Sequence, residues 1–171
     1  MQTLVVFFGT YVIYAVAIVG AGAWILSPHH NRRRILAIAM VAIIVTAVLG
    51  AGAGLIFSHP QPFAVEGFEP LIPHEVDNAF PSHHTLAAGV AAAVVFLFNR
   101  RLGVVLFLAA IAIGWGRVAA GLHLPIDVLA SLAIATLGTC LASLVVSRFL
   151  PPMLESKDIS SSHGHGTTDT I

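Results

Sequence analysis

Long apolar runs alternate with short polar stretches over most of the chain. Five runs stand out, covering residues 3–26, 35–57, 83–98, 102–121 and 125–147. A membrane-spanning helix needs roughly 20 apolar residues, and the run over 83–98 is the shortest of the five. Backbone polar groups inside a bilayer must be satisfied internally, which favours helices. The pattern predicts an all-α, polytopic membrane helix bundle with about five transmembrane helices.

The composition agrees with this class of protein. Of the 171 residues 57% are hydrophobic and 9% are charged, whereas soluble domains carry roughly 25% charged residues. The formal net charge is zero, so the sequence gives no case for nucleic-acid binding, and membrane lipid is the expected surrounding. The lone cysteine, Cys140, cannot form an internal disulfide. Nothing in the sequence indicates the oligomeric state.

The charged residues are distributed unevenly between the two ends of the runs. Arginines follow the first, third and fifth runs, at positions 32–34, 100–101 and 148. By the positive-inside rule these ends face the cytoplasm. We therefore expect a multi-pass protein of the cell membrane with its N-terminus outside and its C-terminus in the cytoplasm. The first run is not expected to be a signal peptide, because the basic residues follow it rather than precede it.

The chain is expected to form one membrane-embedded domain, residues 1–150, followed by a disordered cytoplasmic tail, residues 151–171. The tail is polar and cannot bury a core, and its His163 and His165 are expected to be solvated. The outer connection over 58–82 contains five prolines, so it is not one continuous helix. A connection of this length indicates either function or disorder.

Three polar stretches are expected to meet at the outer face. They are SHPQPF (58–63), PSHHT (81–85) and GRVAAGLHLPID (116–127). Arg117 lies in otherwise apolar sequence, and a charge at membrane depth costs roughly 3 kcal/mol or more. It therefore needs a partner or an anion, unless it extends to the interface. The convergence of these stretches predicts the active site there.

His123 and Asp127 are four residues apart, with Pro125 fitting the first turn of the last helix. The carboxylate can reach one imidazole nitrogen, fix the tautomer and leave the other nitrogen as a nucleophile or base. The alternative is an interfacial histidine beside an aspartate that only stabilises a helix start.

Ser82 precedes an apolar run and is expected to be the N-cap of its helix. The same position directs free N–H groups outward, which makes an anion site. His83 and His84 would stand beside the bound anion, and one of them, protonated, could donate a proton to a leaving oxygen.

The pattern Pro81-Ser82-x-His84, followed by Arg117-x5-His123-x3-Asp127, resembles the type-2 phosphatidic acid phosphatase superfamily. These membrane enzymes remove phosphate from lipid phosphates and diphosphates. HPQPF before PSHH looks most like the bacterial undecaprenyl-diphosphate phosphatases. The resemblance covers roughly residues 50 to 145.

The resemblance implies a role for each matching residue. His123 would be the nucleophile that forms a phosphohistidine, Asp127 its orienting carboxylate, and His84 the acid that protonates the leaving group. Arg117 and Ser82 would bind the phosphate of the lipid substrate. No cofactor and no metal ion is implied.

The chain also departs from the family pattern. The first motif of the family is Lys-x6-Arg-Pro, and if Pro62 is its proline, Gln61 and Gly54 stand where the two cations are expected. Gln61 could still hydrogen-bond phosphate, and His59 and His83, if protonated, could supply positive charge. Gly116 replaces the usual serine before the arginine. The family commonly has six spans, and the one absent here would precede the first motif.

Two other functions remain open from the sequence. A metal-dependent membrane hydrolase or transporter could use the histidines and aspartates expected on one side: His59, His74, His83, His84, His123, Asp77 and Asp127. Arg117 in the same cluster would repel a cation. The other alternative is a non-catalytic relative that binds lipid phosphate.

Overall fold

The computed structural model describes residues 1–150, which contain six helices and no β-strand. The helices are α1 (Gln2–Leu26), α2 (His29–Ile56), α3 (Pro62–Glu66), α4 (His83–Phe98), α5 (Arg100–Ala119) and α6 (Pro125–Phe149). Helix α1 contains a π-helical turn at Phe7–Tyr11. The expected tail, including His163 and His165, lies outside the described residues.

The predicted membrane helix bundle is confirmed. Helices α1, α2, α5 and α6 are long and apolar enough to cross a bilayer, and α4 is a shorter apolar helix. At 16 residues and about 1.5 Å per residue, α4 is shorter than a typical hydrocarbon core. Outward-facing apolar side chains such as Ile18, Val48 and Leu144 remain largely exposed, as expected of surfaces that face lipid. The chain is a multi-pass membrane protein.

Helix α4 lies at the centre of the bundle. One buried apolar cluster joins it to α2 and α6, through residues such as Ile38, Leu86 and Ala135. A second cluster joins it to α1 and α5, with Val16 and Leu106 among its members. The helix is therefore packed on two sides, and the candidate site begins at its first turn.

The connection over 57–82 is ordered and contains only the short helix α3. The N–H of Phe63 donates to Gly121 O (3.1 Å), and the N–H of Leu71 donates to Ala120 O (3.3 Å). Phe63 also packs with Ile72 and Leu122 in a small apolar cluster. The connection therefore lies against the α5–α6 turn, and the prediction that it is not one continuous helix is confirmed.

Helices α1 and α5 approach closely at two glycines. A Cβ atom added to Gly116 would lie 2.5 Å from the backbone N of Gly9, so neither helix could keep its place with a side chain there. This contact explains the glycine before Arg117, where the resembling family has serine. It also fixes the end of α5 that carries the arginine.

Candidate active site

His123 lies in the turn between α5 and α6, and its side chain is almost completely buried. Gly121 has a φ of 81°, a conformation that favours glycine, and Pro125 starts α6 directly afterwards. Nδ1 of His123 is 2.8 Å from the carbonyl oxygen of Ala79. Because a carbonyl can only accept, Nδ1 carries the proton and Nε2 keeps its lone pair.

Burial lowers the pKa of His123 to about 4, and the positive charge of Arg117 acts in the same direction. The hydrogen bond to Ala79 opposes this shift only in part. At neutral pH the imidazole is therefore uncharged, which is the state that a nucleophilic histidine requires.

Asp127 is completely buried at the start of α6. Its Oδ2 accepts a 2.7 Å hydrogen bond from the N–H of Leu124 and lies 3.7 Å from Nδ1 of His123. The two side chains are thus neighbours, as the spacing suggests, but the hydrogen bond of Nδ1 goes to the backbone of Ala79. The other oxygen of Asp127, Oδ1, pairs instead with a different imidazole.

That imidazole belongs to His59, whose Nε2 lies 3.0 Å from Oδ1 of Asp127. Its other nitrogen, Nδ1, lies 3.2 Å from the carbonyl oxygen of Pro60. Both ring nitrogens of His59 thus lie against oxygen atoms, which fixes the orientation of this imidazole beside Asp127.

Arg117 is buried near the end of α5, with only 3% of its surface exposed. Its Nε has no hydrogen-bond partner within residues 1–150, and no carboxylate in that part of the chain lies within 4 Å of its guanidinium. Asp77 is the acidic residue whose charge acts on it from a longer distance. A buried charge without a partner is costly, so this guanidinium is suited to an anion that arrives with the substrate.

Ser82 occupies the N-cap position of α4, but its side chain does not cap the helix. Its hydroxyl lies 3.1 Å from Oγ1 of Thr85, and its carbonyl accepts from the hydroxyl of Ser131 (3.1 Å). The N–H groups of the first turn have no acceptor inside a helix. They remain available, together with the positive end of the helix, for an anion.

The paired histidines of α4 have different surroundings. His84 is half-buried at the first turn of α4, and burial, together with the positive charge of Arg117, lowers its pKa to about 4. His83 is exposed and lines an apolar groove of about 880 Å³ between α1, α2 and α4. The structure therefore brings His84 towards His123 and Arg117, and it directs His83 to the neighbouring groove.

Gln61 is buried, and its amide is engaged by the outer connection. Its Nε2 donates to the carbonyl of Glu75 (3.3 Å) and to the carboxylate of Asp77, while its Oε1 accepts from the N–H of Asp77 (3.0 Å). Both amide hydrogens are therefore in use. In this arrangement Gln61 holds the segment 75–77, and it has no donor left for a phosphate oxygen.

Some groups that form the site are not indicated by any sequence pattern. His74, which the sequence suggested only as a metal ligand, lies close enough to His84 and His123 to interact with them electrostatically. The carbonyl of Ala79 is a backbone group, so residue identity does not reveal it. Within residues 1–150, no group of three histidine, cysteine or acidic side chains is arranged to hold a metal ion.

The family model of the PAP2 superfamily matches residues 33–151 of the chain. The bacitracin transport permease protein BcrC of Bacillus licheniformis is 33% identical over 80% of this chain and 68% of its own length. Undecaprenyl-diphosphatase BcrC of Bacillus subtilis (strain 168) is 33% identical over 79% and 69%. The crystal structure of Aquifex aeolicus LpxE superposes with a TM-score of 0.67 at 26% identity, covering 83% of this chain and 86% of that one.

The chain belongs to the PAP2 superfamily, which confirms the resemblance drawn from its motifs. It is a phosphatase of the class that acts on lipid phosphates. The site described above lies within the matched region, and its residues are the candidates for the catalytic machinery.

Proposed function

We propose that this protein hydrolyses a polyprenyl diphosphate, of which undecaprenyl diphosphate is the best example, through a phosphohistidine intermediate and without a metal ion. The name of the Bacillus subtilis relative supports the substrate class. The observation that carries the chemistry is the buried guanidinium of Arg117, whose Nε has no partner within residues 1–150 and whose charge acts on the neutral imidazole of His123.

In the first step the terminal phosphoryl group binds to Arg117 and to the first-turn N–H groups of α4 at Ser82. Nε2 of His123 attacks phosphorus, and the bond from phosphorus to the leaving oxygen breaks. The negative charge of the bound diphosphate raises the low pKa of His84, so that His84 can donate a proton to that oxygen as it leaves. The products of this step are the lipid monophosphate and a phosphohistidine.

In the second step water attacks the phosphohistidine. His84, now neutral, accepts a proton from the water, the P–N bond breaks, and inorganic phosphate is released. The carboxylate of Asp127 holds the imidazole of His59 in place, and the positive charge of Arg117 stabilises the phosphoryl oxygens. His83 and Gln61 support binding indirectly, His83 at the groove and Gln61 through the segment 75–77.

The apolar groove lined by His83 is suited to the hydrocarbon chain of such a substrate. It runs along α4 from His83 to Phe98, and its other walls include Trp24 and Ile35. A lipid in this groove would present its headgroup at the first turn of α4. We further propose that this end of the bundle faces the outside of the cell, since the arginines at 32–34, 100–101 and 148 flank the opposite ends of the helices.

Phosphate release by purified protein tests the proposal. Polyprenyl diphosphates, polyprenyl monophosphates and phosphatidic acid would be compared, each with and without excess chelator. We expect release from the diphosphate at a rate that chelator does not change. A rate abolished by chelator and restored by one metal ion would contradict the metal-independent route. No release from any of these lipids would favour a non-catalytic, phosphate-binding relative.

A further inference from the structure

Asn78 lies in the outer connection. Its side chain binds the backbone at three places: Gly54 near the end of α2, His59 and Phe80. Its Oδ1 accepts from the N–H of His59 (3.2 Å) and from the N–H of Phe80 (3.1 Å). Its Nδ2 donates to the carbonyl of Gly54 (3.1 Å). One side chain thus fixes three separate backbone positions.

The residue held between these contacts is Ala79, which is completely buried. Its N–H donates to the carbonyl of His59 (2.9 Å), and its own carbonyl accepts the Nδ1–H of His123 (2.8 Å). The orientation of that carbonyl, and with it the tautomer of the candidate nucleophile, therefore depends on the segment that Asn78 anchors.

Gly54 provides the space for this arrangement. A Cβ atom at position 54 would lie 3.0 Å from the carbonyl oxygen of Phe80 and 3.3 Å from Nδ2 of Asn78, so the segment 78–80 would have to move. A Cβ atom at Gly52, one half-turn earlier in α2, would meet nothing within 4 Å. The glycine in place of the expected lysine thus allows residues 78–80 to pack directly on α2.

We propose that Asn78 is a positioning residue of the phosphatase reaction, which holds the carbonyl of Ala79 as the acceptor that keeps Nε2 of His123 free to attack. This inference rests on the proposed function, since it assumes that His123 is the nucleophile. The same arrangement explains why Asp127 pairs with His59. Because a backbone carbonyl already orients His123, the carboxylate of Asp127 is free to bind the other imidazole.

Two substitutions with matched controls test the proposal by kinetics. Asn78→Ala is compared with Thr136→Ala, which removes a side-chain hydrogen bond to the carbonyl of Leu132 on the exposed face of α6. Gly54→Ala is compared with Gly52→Ala. Misplacing a reacting group by an ångström can cost roughly a hundredfold, so we expect Asn78→Ala to lower kcat roughly ten- to hundredfold at unchanged KM. Gly54→Ala should lower kcat several-fold, and both controls should retain it.

A direct measurement of the tautomer separates positioning from a general loss of structure. The protein is labelled with ¹⁵N-histidine, and the signal of His123 is identified by its absence in His123→Gln. In the wild type we expect a proton on Nδ1, and in Asn78→Ala a mixture of tautomers. The proposal is overturned if His123 keeps its Nδ1 proton in Asn78→Ala. It is also overturned if both test variants have the same kcat as their controls. Because this spectrum needs no turnover, it decides the proposal even if the wild type hydrolyses none of the lipids and the proposed function fails.

Discussion

Nε2 of His59 lies 3.0 Å from Oδ1 of Asp127, although 68 residues separate the two in the chain. The pairing joins a histidine of the connection over 57–82 to a completely buried carboxylate at the start of α6. The pairing therefore ties the connection over 57–82 to the first turn of α6, next to the turn that carries His123.

This pairing predicts non-additive kinetics. His59→Gln and Asp127→Asn should each lower kcat/KM roughly ten- to hundredfold, since a hydrogen bond to a charged group is worth about 1.5–3 kcal/mol. The double variant should be little worse than either single variant, because each change already removes the contact between the two side chains. Steady-state kinetics on one diphosphate lipid gives the comparison. Effects that multiply in the double variant would mean that the two residues act separately.

Arg117 is predicted to serve substrate binding at the expense of stability. Replacing it by methionine removes a buried charge that has no partner in the described residues, so Arg117→Met should unfold at the same temperature as the wild type or higher. Its kcat/KM should fall roughly a hundredfold or more, as for the loss of a group that stabilises developing charge. Thermal unfolding in detergent and kinetics are measured on the same preparation. A strongly destabilised Arg117→Met would indicate a structural ion pair instead.

The lowered pKa of His123 predicts how stability depends on pH. The unfolded chain binds a proton at this residue near pH 6.5, whereas the folded protein does so only near pH 4. Unfolding therefore takes up a proton between these values, so the contribution of the neutral His123 to stability is present at pH 7 and is lost as the pH falls from about 6.5 to 4. Between pH 7 and pH 5 the wild type should lose up to about 2 kcal/mol more than His123→Gln. Equal losses in the two proteins would contradict the burial of a neutral imidazole.

The sidedness is tested with single cysteines in a Cys140→Ala background. Glu69→Cys lies in the outer connection, and His30→Cys lies between α1 and the arginines of α2. In intact cells an impermeant thiol reagent should label only Glu69→Cys, whereas both should react after lysis. Labelling of His30→Cys alone in intact cells would reverse the proposed orientation.

The helices and the end of the bundle that carries the site follow from local sequence patterns. Apolar runs of the required length predict membrane helices, and the structure places their ends within a few residues, apart from an earlier start of α2 at His29. Arg117 is conspicuous because a charge in apolar sequence needs a special environment.

Contacts within the site depend on tertiary packing and could not be predicted. The acceptor for His123 is a backbone carbonyl, which any residue at position 79 would provide. The position of Gln61 in the motif suggests a phosphate ligand. In the fold, however, both of its amide hydrogens bind the segment 75–77. The pairing of His59 with Asp127 required the outer connection to fold back over α6, and no local pattern encodes that.

The central claim is that His123 carries the phosphoryl group during turnover, and trapping the intermediate tests it most directly. Diphosphate lipid labelled with ³²P at the terminal phosphate is mixed with the enzyme, quenched in alkali within milliseconds, and the protein is digested for mass spectrometry. We expect an acid-labile, alkali-stable label on Nε2 of His123 that is absent in His123→Gln and in a sample chased with unlabelled lipid. Label on another residue would contradict the role of His123 as nucleophile. Turnover without labelled protein at any quench time, combined with an active His123→Gln, would also contradict that role.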